Sequence, residues 1–418
     1  MGFDSIRSMF AVPIIVLLIW ALLSEDRKRF PMRTALWGIG LQVAFAGFVL
    51  IFPPGVKAIA WFGDLVTKFL SLSKYGSEFL FGNIVKPEFF NTFGFQFALL
   101  VLPTVIFFSS FMAVLYHAQI MQPVVEVVAR VMAKTMKTSG AESLSCASNI
   151  FLGQTEAPLI IRPYLLLATR SELAAIMTGG FATIAGGVMA GYISMGIPAK
   201  HLIAASVMSA PAALVFAKIA FPEKETPVTY GKVKVPREKI YTNVLDAASS
   251  GATDGMKLAL NIAAMLIAFL ALLEGINWAL GWLSGQVWYY TDFTRFPSSL
   301  KDLFGLVFAP FAWLIGVPWH DAGQVGYLIG TQISANEFIA YAKLAEMKAA
   351  GILSERTIAI TTYAMCGFAN FSSVAIQIGG ISALVPERRS DLAAIGLKAM
   401  VCGALASWMT ACVASMFL

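Results

Sequence analysis

The chain is poor in charge: only 13% of its 418 residues are Asp, Glu, Lys or Arg, whereas 58% are hydrophobic. A soluble domain carries about 25% charged residues, so this deficit excludes intrinsic disorder, a coiled coil and an ordinary soluble enzyme. The composition leaves a polytopic membrane protein, in which lipid surrounds most side chains. The mean hydropathy of +0.74 agrees with that class.

Cysteine and histidine are also scarce. Without a Cys-x-x-Cys pair, cysteines in apolar stretches favour buried free thiols over disulfides or a metal site. The four cysteines are Cys146, Cys366, Cys402 and Cys412. The three histidines, His117, His201 and His320, have no spacing typical of metal ligands. The sequence therefore gives no indication of a metal centre built on these side chains.

Eight apolar stretches approach the length of about 20 residues that a membrane-spanning helix needs. They are residues 9–23, 34–52, 95–121, 173–193, 202–221, 245–283, 357–378 and 392–417. No small-x-small cleavage site follows the first stretch, so we interpret it as a retained helix rather than a cleaved signal peptide. We therefore expect an all-α polytopic membrane protein, with one membrane domain over residues 1–418.

Other apolar segments do not fit simple spans. Residues 56–72 form an amphipathic pattern, which predicts a helix in the membrane interface. Residues 303–317 are apolar but short, and Pro318 follows them. Residues 143–168 and 321–345 are interrupted midway by polar residues and a glutamate, which predicts two re-entrant hairpins. Such hairpins require their non-helical backbone to be buried in protein or to line a cavity.

Positive charge in the loops sets the expected orientation. It follows the first and fifth spans and precedes the last one, and with eight spans these loops fall on one side, the cytoplasmic side. Both termini would then lie outside the cytoplasm. The residues are Arg27, Lys28, Arg29, Lys224, Lys232, Lys234, Arg237, Lys239, Arg388 and Arg389. The loop after the third span, with Arg130, Lys134 and Lys137, falls on the same side.

The chain contains a weak internal repeat. GFATIA at 180–185 resembles GFANFS at 367–372, and a helix start precedes each, at Ser171-Glu172 and Ser354-Glu355. Further upstream lies a broken segment with an acid, Glu156 in the first half and Glu337 in the second. An odd number of spans separates the two broken segments, so the repeat is inverted. In transporters, paired interrupted segments of this kind mark a midplane substrate site.

The polar residues at these interruptions are the candidate functional residues. A helix broken in the membrane leaves free N–H and C=O groups, and a carboxylate at that depth is costly and usually functional. Glu156 and Glu337 are such acids, although either could be structural, capping backbone donors or pairing with Arg162. Asn149 and Thr183 could offer oxygens to a small cation, or could form interhelical hydrogen bonds.

The second interruption leaves similar alternatives. Its polar residues, Asn370, Ser372 and Ser373, could bind a solute or could solvate a kink in their own helix. Phe368 could stack on a planar solute, although an aromatic residue in an apolar helix is usually part of the core. Asn261 in the sixth predicted span is similarly ambiguous.

Four motifs resemble the bacterial concentrative nucleoside transporter family: GQTEAP at 153–158, GGVMAGY at 186–192, ANEF at 335–338 and CGFANFSS at 366–373. The resemblance covers essentially the whole chain. It implies a homotrimer in the bacterial inner membrane, with eight spanning helices, two opposed hairpins and an interfacial helix. It also implies ion-coupled nucleoside uptake by elevator-like movement. Scaffold elements would lie at about 1–140 and 245–300, and transport elements at about 141–222 and 301–418.

The resemblance also implies a role for each matching residue. Gln154, Thr155 and Glu156 would contact the nucleobase, and Val188 and Phe368 would pack on it, with Leu260 as a further packing candidate. Glu337, Asn370 and Ser373 would bind the ribose hydroxyls. The co-transported sodium ion would be held by Asn149, Thr183 and the carbonyls of Leu152 and Ile184. The Gln-Thr-Glu-Ala-Pro tip resembles that of the sodium-coupled branch.

Three alternatives remain beside sodium–nucleoside symport. Coupling could be to protons instead of sodium. An intramembrane hydrolase could use Glu156 and Glu337 as an acid–base pair, which requires the two carboxylates to lie within about 10 Å of each other. A passive channel would not accumulate its solute against a gradient.

Overall fold

The computed structural model describes residues 3–89, 92, 96–231, 241–291 and 296–418. Within these ranges the secondary structure is helical, apart from one isolated bridge between Ser139 and Tyr230. The α-helices are α1 (Phe3–Leu23), α2 (Met32–Leu50), α3 (Pro53–Leu70), α4 (Ser73–Phe81), α5 (Phe97–Leu100), α6 (Leu102–His117), α7 (Met121–Met136), α8 (Gly140–Ser148), α9 (Ala157–Ile160), α10 (Arg162–Leu165), α11 (Arg170–Ala182), α12 (Gly186–Ser194), α13 (Ala199–Ala220), α14 (Val244–Thr291), α15 (Leu300–Leu314), α16 (Trp319–Ser334), α17 (Glu337–Ala349), α18 (Glu355–Ala364), α19 (Phe371–Leu384) and α20 (Arg389–Ser415). Short 3₁₀ helices cover Gly82–Val85, Pro87–Phe89 and Pro386–Arg388.

The membrane-protein prediction is confirmed. Among the described residues, seven helical segments are long and apolar enough to cross a membrane, or eight if the bent pair α15–α16 is one span. These segments include the first six predicted spans and the last one. The first residue of the third predicted span, Phe95, lies outside the described residues, as do the loop residues Lys232, Lys234, Arg237 and Lys239.

The seventh predicted span, residues 357–378, differs from the prediction. It consists of α18 and α19, which are 10 and 14 residues long, with a break between them. The break is stabilised by Asn370, whose side chain accepts a hydrogen bond from the backbone N–H of Ser373 and so caps α19. Because an N-cap residue satisfies the free donors of a new helix, the polar residues start a second helix here instead of kinking one continuous span.

Both predicted hairpins are present, each interrupted at its acidic residue. In the first, α8 ends at Ser148 and the chain turns through Asn149–Glu156 into α9 and α10. In the second, α16 ends at Ser334, and α17 begins at Glu337 with Asn336 as its N-cap. The apolar stretch at 303–317 covers most of α15 and the turn after it, and α15 packs along α16 with a bend of 116° between the two helices.

Two local predictions need correction. The helix that was expected to start at Ser171 starts at Arg170, with Thr169 as its N-cap and Glu172 completing a capping box. Ser171 instead donates to the carbonyl of Phe221, at 2.6 Å. The counterpart in the second half is as predicted, since Ser354 caps α18.

The segment that carries Arg130 and Lys134 was expected to be a loop, but it forms helix α7. Its buried residues recur at helical spacing along one face, which explains why a charged segment is helical. They are Met121, Val125, Ala129, Met132 and Met136.

Packing divides the helices into two groups. Helix α14 packs against α6, whereas α1 and α2 pack against α13 and α20. Helices α11, α13 and α20 contact one another, and α11 and α13 are almost entirely buried. All four cysteines are free and buried in this arrangement, as predicted.

Candidate functional site

The two interruptions meet at one cavity of about 360 Å³. The first hairpin tip, the tip of the second hairpin and the start of α19 form most of its wall, and α12 and α14 complete it. Apart from the packing candidate Leu260, the residues predicted to contact a nucleoside lie in this wall: Gln154, Thr155, Glu156, Val188, Glu337, Phe368, Asn370 and Ser373. Residues from distant parts of the chain therefore come together where the sequence predicted a binding site.

Glu337 and Asn370 form a fixed polar pair on one side of the cavity. The Asn370 side-chain N–H donates to a Glu337 carboxylate oxygen at 2.7 Å. The Asn370 carbonyl oxygen accepts from the Ser372 hydroxyl at 2.7 Å and from the Ser373 N–H at 2.8 Å. These contacts fix the orientation of the amide. Glu337 is the first residue of α17, where the helix dipole favours a negative charge.

Gln154 connects the first hairpin tip to the second half of the chain. Its side-chain N–H donates to the Ser373 hydroxyl at 3.2 Å, and its carbonyl oxygen accepts from Gln377 at 3.0 Å. This contact requires glycine at position 180, because a Cβ there would lie 2.6 Å from the Gln377 side-chain nitrogen. The two halves thus share a hydrogen-bond network beside the cavity.

Glu156 caps its own hairpin tip and also faces the cavity. One carboxylate oxygen accepts from the Gly153 N–H at 3.0 Å, and the side chain remains exposed to the cavity. The contact with Gly153 means that Glu156 caps a backbone donor, as the structural alternative predicted. Pairing with Arg162 is not seen among the described residues.

The apolar part of the cavity includes Val188 and Phe368, which are 4% and 7% exposed. From α14 come Leu258, Asn261, Ile262 and Met265, whereas Leu260 is 62% exposed and does not line the cavity. Asn261 was ambiguous in the sequence, and its amide is a polar group in the α14 part of the wall. Gln377 was not recognised, although it lies one helical turn after Ser373, on the same face of α19.

The candidate sodium ligands lie around the first interruption. Asn149 is 1% exposed, and its side-chain N–H donates to the Ser145 carbonyl at 3.0 Å. Its carbonyl oxygen has no hydrogen-bond partner among the described residues. Thr183 donates its hydroxyl proton to the Gly179 carbonyl at 2.8 Å, which leaves the lone pairs of its oxygen available.

The backbone at this interruption also has carbonyl oxygens that are free to bind a cation. In the described part of the chain, the carbonyls of Leu152 and Ile184 accept no hydrogen bond. The Gly186 N–H donates to the Phe151 carbonyl at 3.0 Å and so joins the hairpin to the break between α11 and α12. Neutral carbonyl and hydroxyl oxygens at an unwound helix suit a sodium ion. The described residues contain no group of three or more His, Cys, Asp or Glu side chains placed to bind a metal ion.

Three family models match the chain. The model described as Na⁺ dependent nucleoside transporter C-terminus matches residues 201–415, and the corresponding N-terminus model matches residues 12–84. A model described as Nucleoside recognition matches residues 98–199, which include the first hairpin and the break between α11 and α12.

Curated relatives match along the full length of the chain. An uncharacterized transporter of Haemophilus influenzae is 45% identical over 419 residues, covering 99% of this chain and 98% of the relative. Sodium/nucleoside cotransporter 1 of Rattus norvegicus is 42% identical over 433 residues, which are 98% of this chain but 63% of the rat protein.

Solved structures match equally well. The structure of CNTnw in an inward-facing substrate-bound state has a TM-score of 0.91 at 42% identity, covering 99% of this chain and 98% of that one. A CNTnw variant in an outward-facing state has a TM-score of 0.92 at 41% identity, covering 100% and 98%. The chain therefore belongs to the Na⁺ dependent nucleoside transporter family, a family of membrane transporters and not of enzymes.

Proposed function

We propose that the protein is a secondary active symporter that imports nucleosides across the bacterial cytoplasmic membrane, driven by the sodium gradient. The observation that carries the proposal is the cavity between the two interruptions, with the unpartnered Asn149 oxygen close behind it. A nucleoside has a flat base and a sugar with vicinal hydroxyls. The amides, carboxylates and Phe368 of the cavity suit both parts.

We assign the residue roles as the family resemblance implies them. Gln154, Thr155 and Glu156 would contact the base, with Val188 and Phe368 packed against it. Glu337, Asn370 and Ser373 would bind the ribose. A buried donor or acceptor left unpaired costs about 1–3 kcal/mol, so a solute without a ribose should bind much more weakly.

Coupling would act through the first hairpin tip. Asn149 and Leu152 would bind sodium, and the tip residues Gln154–Glu156 begin two residues later. A sodium ion that orders this loop would therefore also order the contacts to the base. Coupling between two binding equilibria is reciprocal, so nucleoside would raise the affinity for sodium by the same factor.

We further propose an elevator-like movement in which α8–α13 and α15–α20 move against a static body that includes α6 and α14. The sequence division placed residues 1–140 in the static body, but the packing favours including α1 and α2 in the moving body. The Ser8 hydroxyl at the start of α1 donates to the Ser415 hydroxyl of α20 at 2.9 Å. At the other end, Glu25 pairs with Arg170 of α11 at 2.9 Å.

The ion pairs of Glu25 also affect its ionisation. Partial burial by itself would raise its pKa, but Arg170 and Lys398 lower the pKa below its ordinary value. The contact is therefore kept at neutral pH and is lost only as the pH falls through that lowered pKa.

A homotrimer is the assembly that the family resemblance implies, and we propose it here. The α14 helix exposes large aromatic residues, with Trp278 76% and Trp282 63% exposed in the single chain. Mass measurement of the detergent-solubilised protein would test this assembly, and a monomeric mass would contradict it.

Uptake by proteoliposomes tests the function. We expect labelled uridine to accumulate above its external concentration under an inward sodium gradient, and to stop accumulating when choline replaces sodium at fixed pH. Unchanged uptake in choline would indicate proton coupling instead. Equilibration without accumulation would indicate a passive channel, and recovery of a cleaved nucleoside would indicate a hydrolase. Competition by a panel of purine and pyrimidine nucleosides would define the preferred base.

A further inference from the structure

A second cavity, of about 390 Å³, borders the first hairpin at Ile150 and Phe151, whereas the proposed nucleoside site borders it at residues 153–156. Its walls come from α3, α6, α12 and α13, and its lining is almost entirely aromatic and aliphatic. Among the lining residues, Ser206 carries a hydroxyl, which already donates to the Ile150 carbonyl at 3.0 Å. A buried water molecule needs two to four polar partners, so this cavity favours an apolar occupant.

The size of the cavity suits more than a solvent molecule. Apolar cavities of roughly 150 Å³ already bind small hydrocarbons, and this one is larger. Helix α3, which forms one wall, is amphipathic and exposes Trp61, Phe62 and Leu65 by 66%, 44% and 47%. Helices with such a face lie in the membrane interface, so lipid acyl chains are the apolar molecules nearest to this cavity.

A third cavity, of about 370 Å³, adjoins the apolar one, and we call it the polar cavity because charged side chains line it, which the apolar cavity lacks. Both are lined by α3 and by Ile193. The polar cavity contains the side chains of Lys200 and Lys348 together with one acid, Asp64. Lys348 is fixed above the turn between α12 and α13, because its ammonium group donates to the Gly196 carbonyl at 2.8 Å.

The backbone adds to the positive charge of this polar cavity. Lys200 is the second residue of α13, a 22-residue helix without a side-chain N-cap. The first N–H groups of a helix and its dipole favour an anion. Two ammonium groups and a helix N-terminus therefore outweigh the single carboxylate of Asp64, so the polar cavity suits a phosphate group.

We propose that the two adjoining cavities bind one anionic phospholipid, with an acyl chain in the apolar cavity and the phosphate beside Lys200 and Lys348. An inorganic phosphate ion would leave the apolar cavity unfilled, and a zwitterionic lipid would gain less from the lysines. The occupant is thus a lipid with a net negative head group.

This lipid would support the hairpin from behind. Phe151 and Gly186 line the apolar cavity; Phe151 directly precedes Leu152, and Gly186 lies two residues after Ile184. Space is tight there, since a Cβ at position 186 would lie 2.5 Å from the Phe108 ring. If α6 is static and α12 moves, as proposed above, the acyl chain lies between a static and a moving helix. The lipid composition of the membrane should therefore alter the rate of nucleoside uptake.

Photocrosslinking of the full-length protein in phosphatidylcholine nanodiscs tests the site. The probe is phosphatidylglycerol with a diazirine near the end of one acyl chain, and crosslinked peptides are mapped by mass spectrometry. We expect crosslinks on α6 and α12, reduced to background by either Leu115→Trp or Met189→Trp, which fill the cavity. Leu36→Trp, on an exposed part of α2, is the matched control and should have no effect.

The head-group contact is tested separately. A lysine near an anionic membrane surface contributes a factor of about fivefold in affinity, so Lys200→Gln and Lys348→Gln should each lower crosslinking by about that factor. Lys57→Gln on α3, outside the polar cavity, is the control. Inorganic phosphate should not displace the probe. Unchanged crosslinking in both cavity-filling variants would overturn the acyl-chain site, and equal labelling by a phosphatidylcholine probe or displacement by phosphate would overturn the anionic lipid.

Discussion

The two halves of the internal repeat close their interruptions differently. In the second half, the side-chain amide of Gln332 donates to the carbonyls of Met365 and Gly367, at 3.1 and 2.8 Å. In the first half, the Asn149 oxygen has no hydrogen-bond partner among the described residues. One break is thus satisfied by a side chain of the protein, whereas the other leaves an amide oxygen without a hydrogen-bond partner among the described residues.

This difference suggests a reason why the structure of the first break would depend on a bound ion, whereas that of the second break would not. An amide N–H and a sodium ion both present positive charge to carbonyl oxygens. We infer that Gln332 does permanently in the second half what sodium would do reversibly in the first. The first hairpin would then be ordered only when the ion is bound.

Substitution of the acids at the two hairpin tips should give the largest difference in uridine affinity and uptake between the two halves. Glu337→Gln removes the charge that we propose binds the ribose, and hydrogen bonds to charged groups contribute about 1.5–3 kcal/mol. We expect uridine affinity to fall by about tenfold to hundredfold and uptake to become undetectable, while the protein still assembles. Glu156→Gln should cost less, because one of its oxygens already accepts from Gly153. Titration calorimetry measures the uridine affinity of both variants. Full uptake by Glu337→Gln would contradict the ribose role.

The residues behind the tips should separate stability from ion dependence. Gln332→Ala leaves the Gly367 carbonyl without a donor, whereas the Met365 carbonyl keeps the Gly367 N–H. It should lower the free energy of unfolding by about 1–3 kcal/mol, with or without sodium. Asn149→Ala should leave stability in sodium-free buffer nearly unchanged and abolish the stabilisation that sodium adds. Thermal unfolding across a sodium titration measures both, and a sodium response in Asn149→Ala equal to that of the wild type would break the comparison.

A matched threonine pair sharpens the ion site. Thr183 and Thr362 both donate to the carbonyl four residues earlier, at 2.8 Å in each case, but they lie in different halves. Thr183→Val should weaken sodium activation of uptake by up to about tenfold, as expected for one lost polar contact. Thr183→Ser and Thr362→Val should leave the sodium concentration for half-maximal uptake unchanged. Equal shifts in both valine variants would indicate a general packing effect.

The smallest effect is expected at Asn261, which belongs to neither half. Its amide faces the cavity from α14, so Asn261→Leu should remove at most one hydrogen bond to the base, or less than about tenfold in affinity. The ratio of purine to pyrimidine uptake measures the change, and sodium dependence should remain unaltered. A large loss of sodium dependence would place Asn261 in the coupling machinery instead.

Much of the fold could be predicted because lipid imposes long apolar stretches and loop charge. The failures came where polar residues decide the local structure. Residues 357–378 were predicted as one span because their average hydropathy is high, yet the Asn370 cap starts a new helix. The segment that forms α7 was predicted to be a loop because of its charged residues, although its buried residues recur at helical spacing.

The site was predicted unevenly for a similar reason. Residues within motifs came together at one cavity, and their roles remain predictions for the experiments above. Gln377 and Gln332 were missed because their importance comes from contacts across the fold. Gln377 donates to Gln154, which lies 223 residues away, and a single sequence gives no signal for such a pair. Leu260 was one or two residues out of register, as expected where a long helix lacks a marker residue.

The burial of all four cysteines has a practical consequence for measuring movement. Thiol reagents added from water have poor access to buried sulfur atoms, so the unmodified chain has a low labelling background. A cysteine introduced at Thr155, in the cavity wall, could then be labelled from one side of the membrane at a time. Its rate of modification in sodium, in choline and with nucleoside would show which side the cavity opens to in each condition.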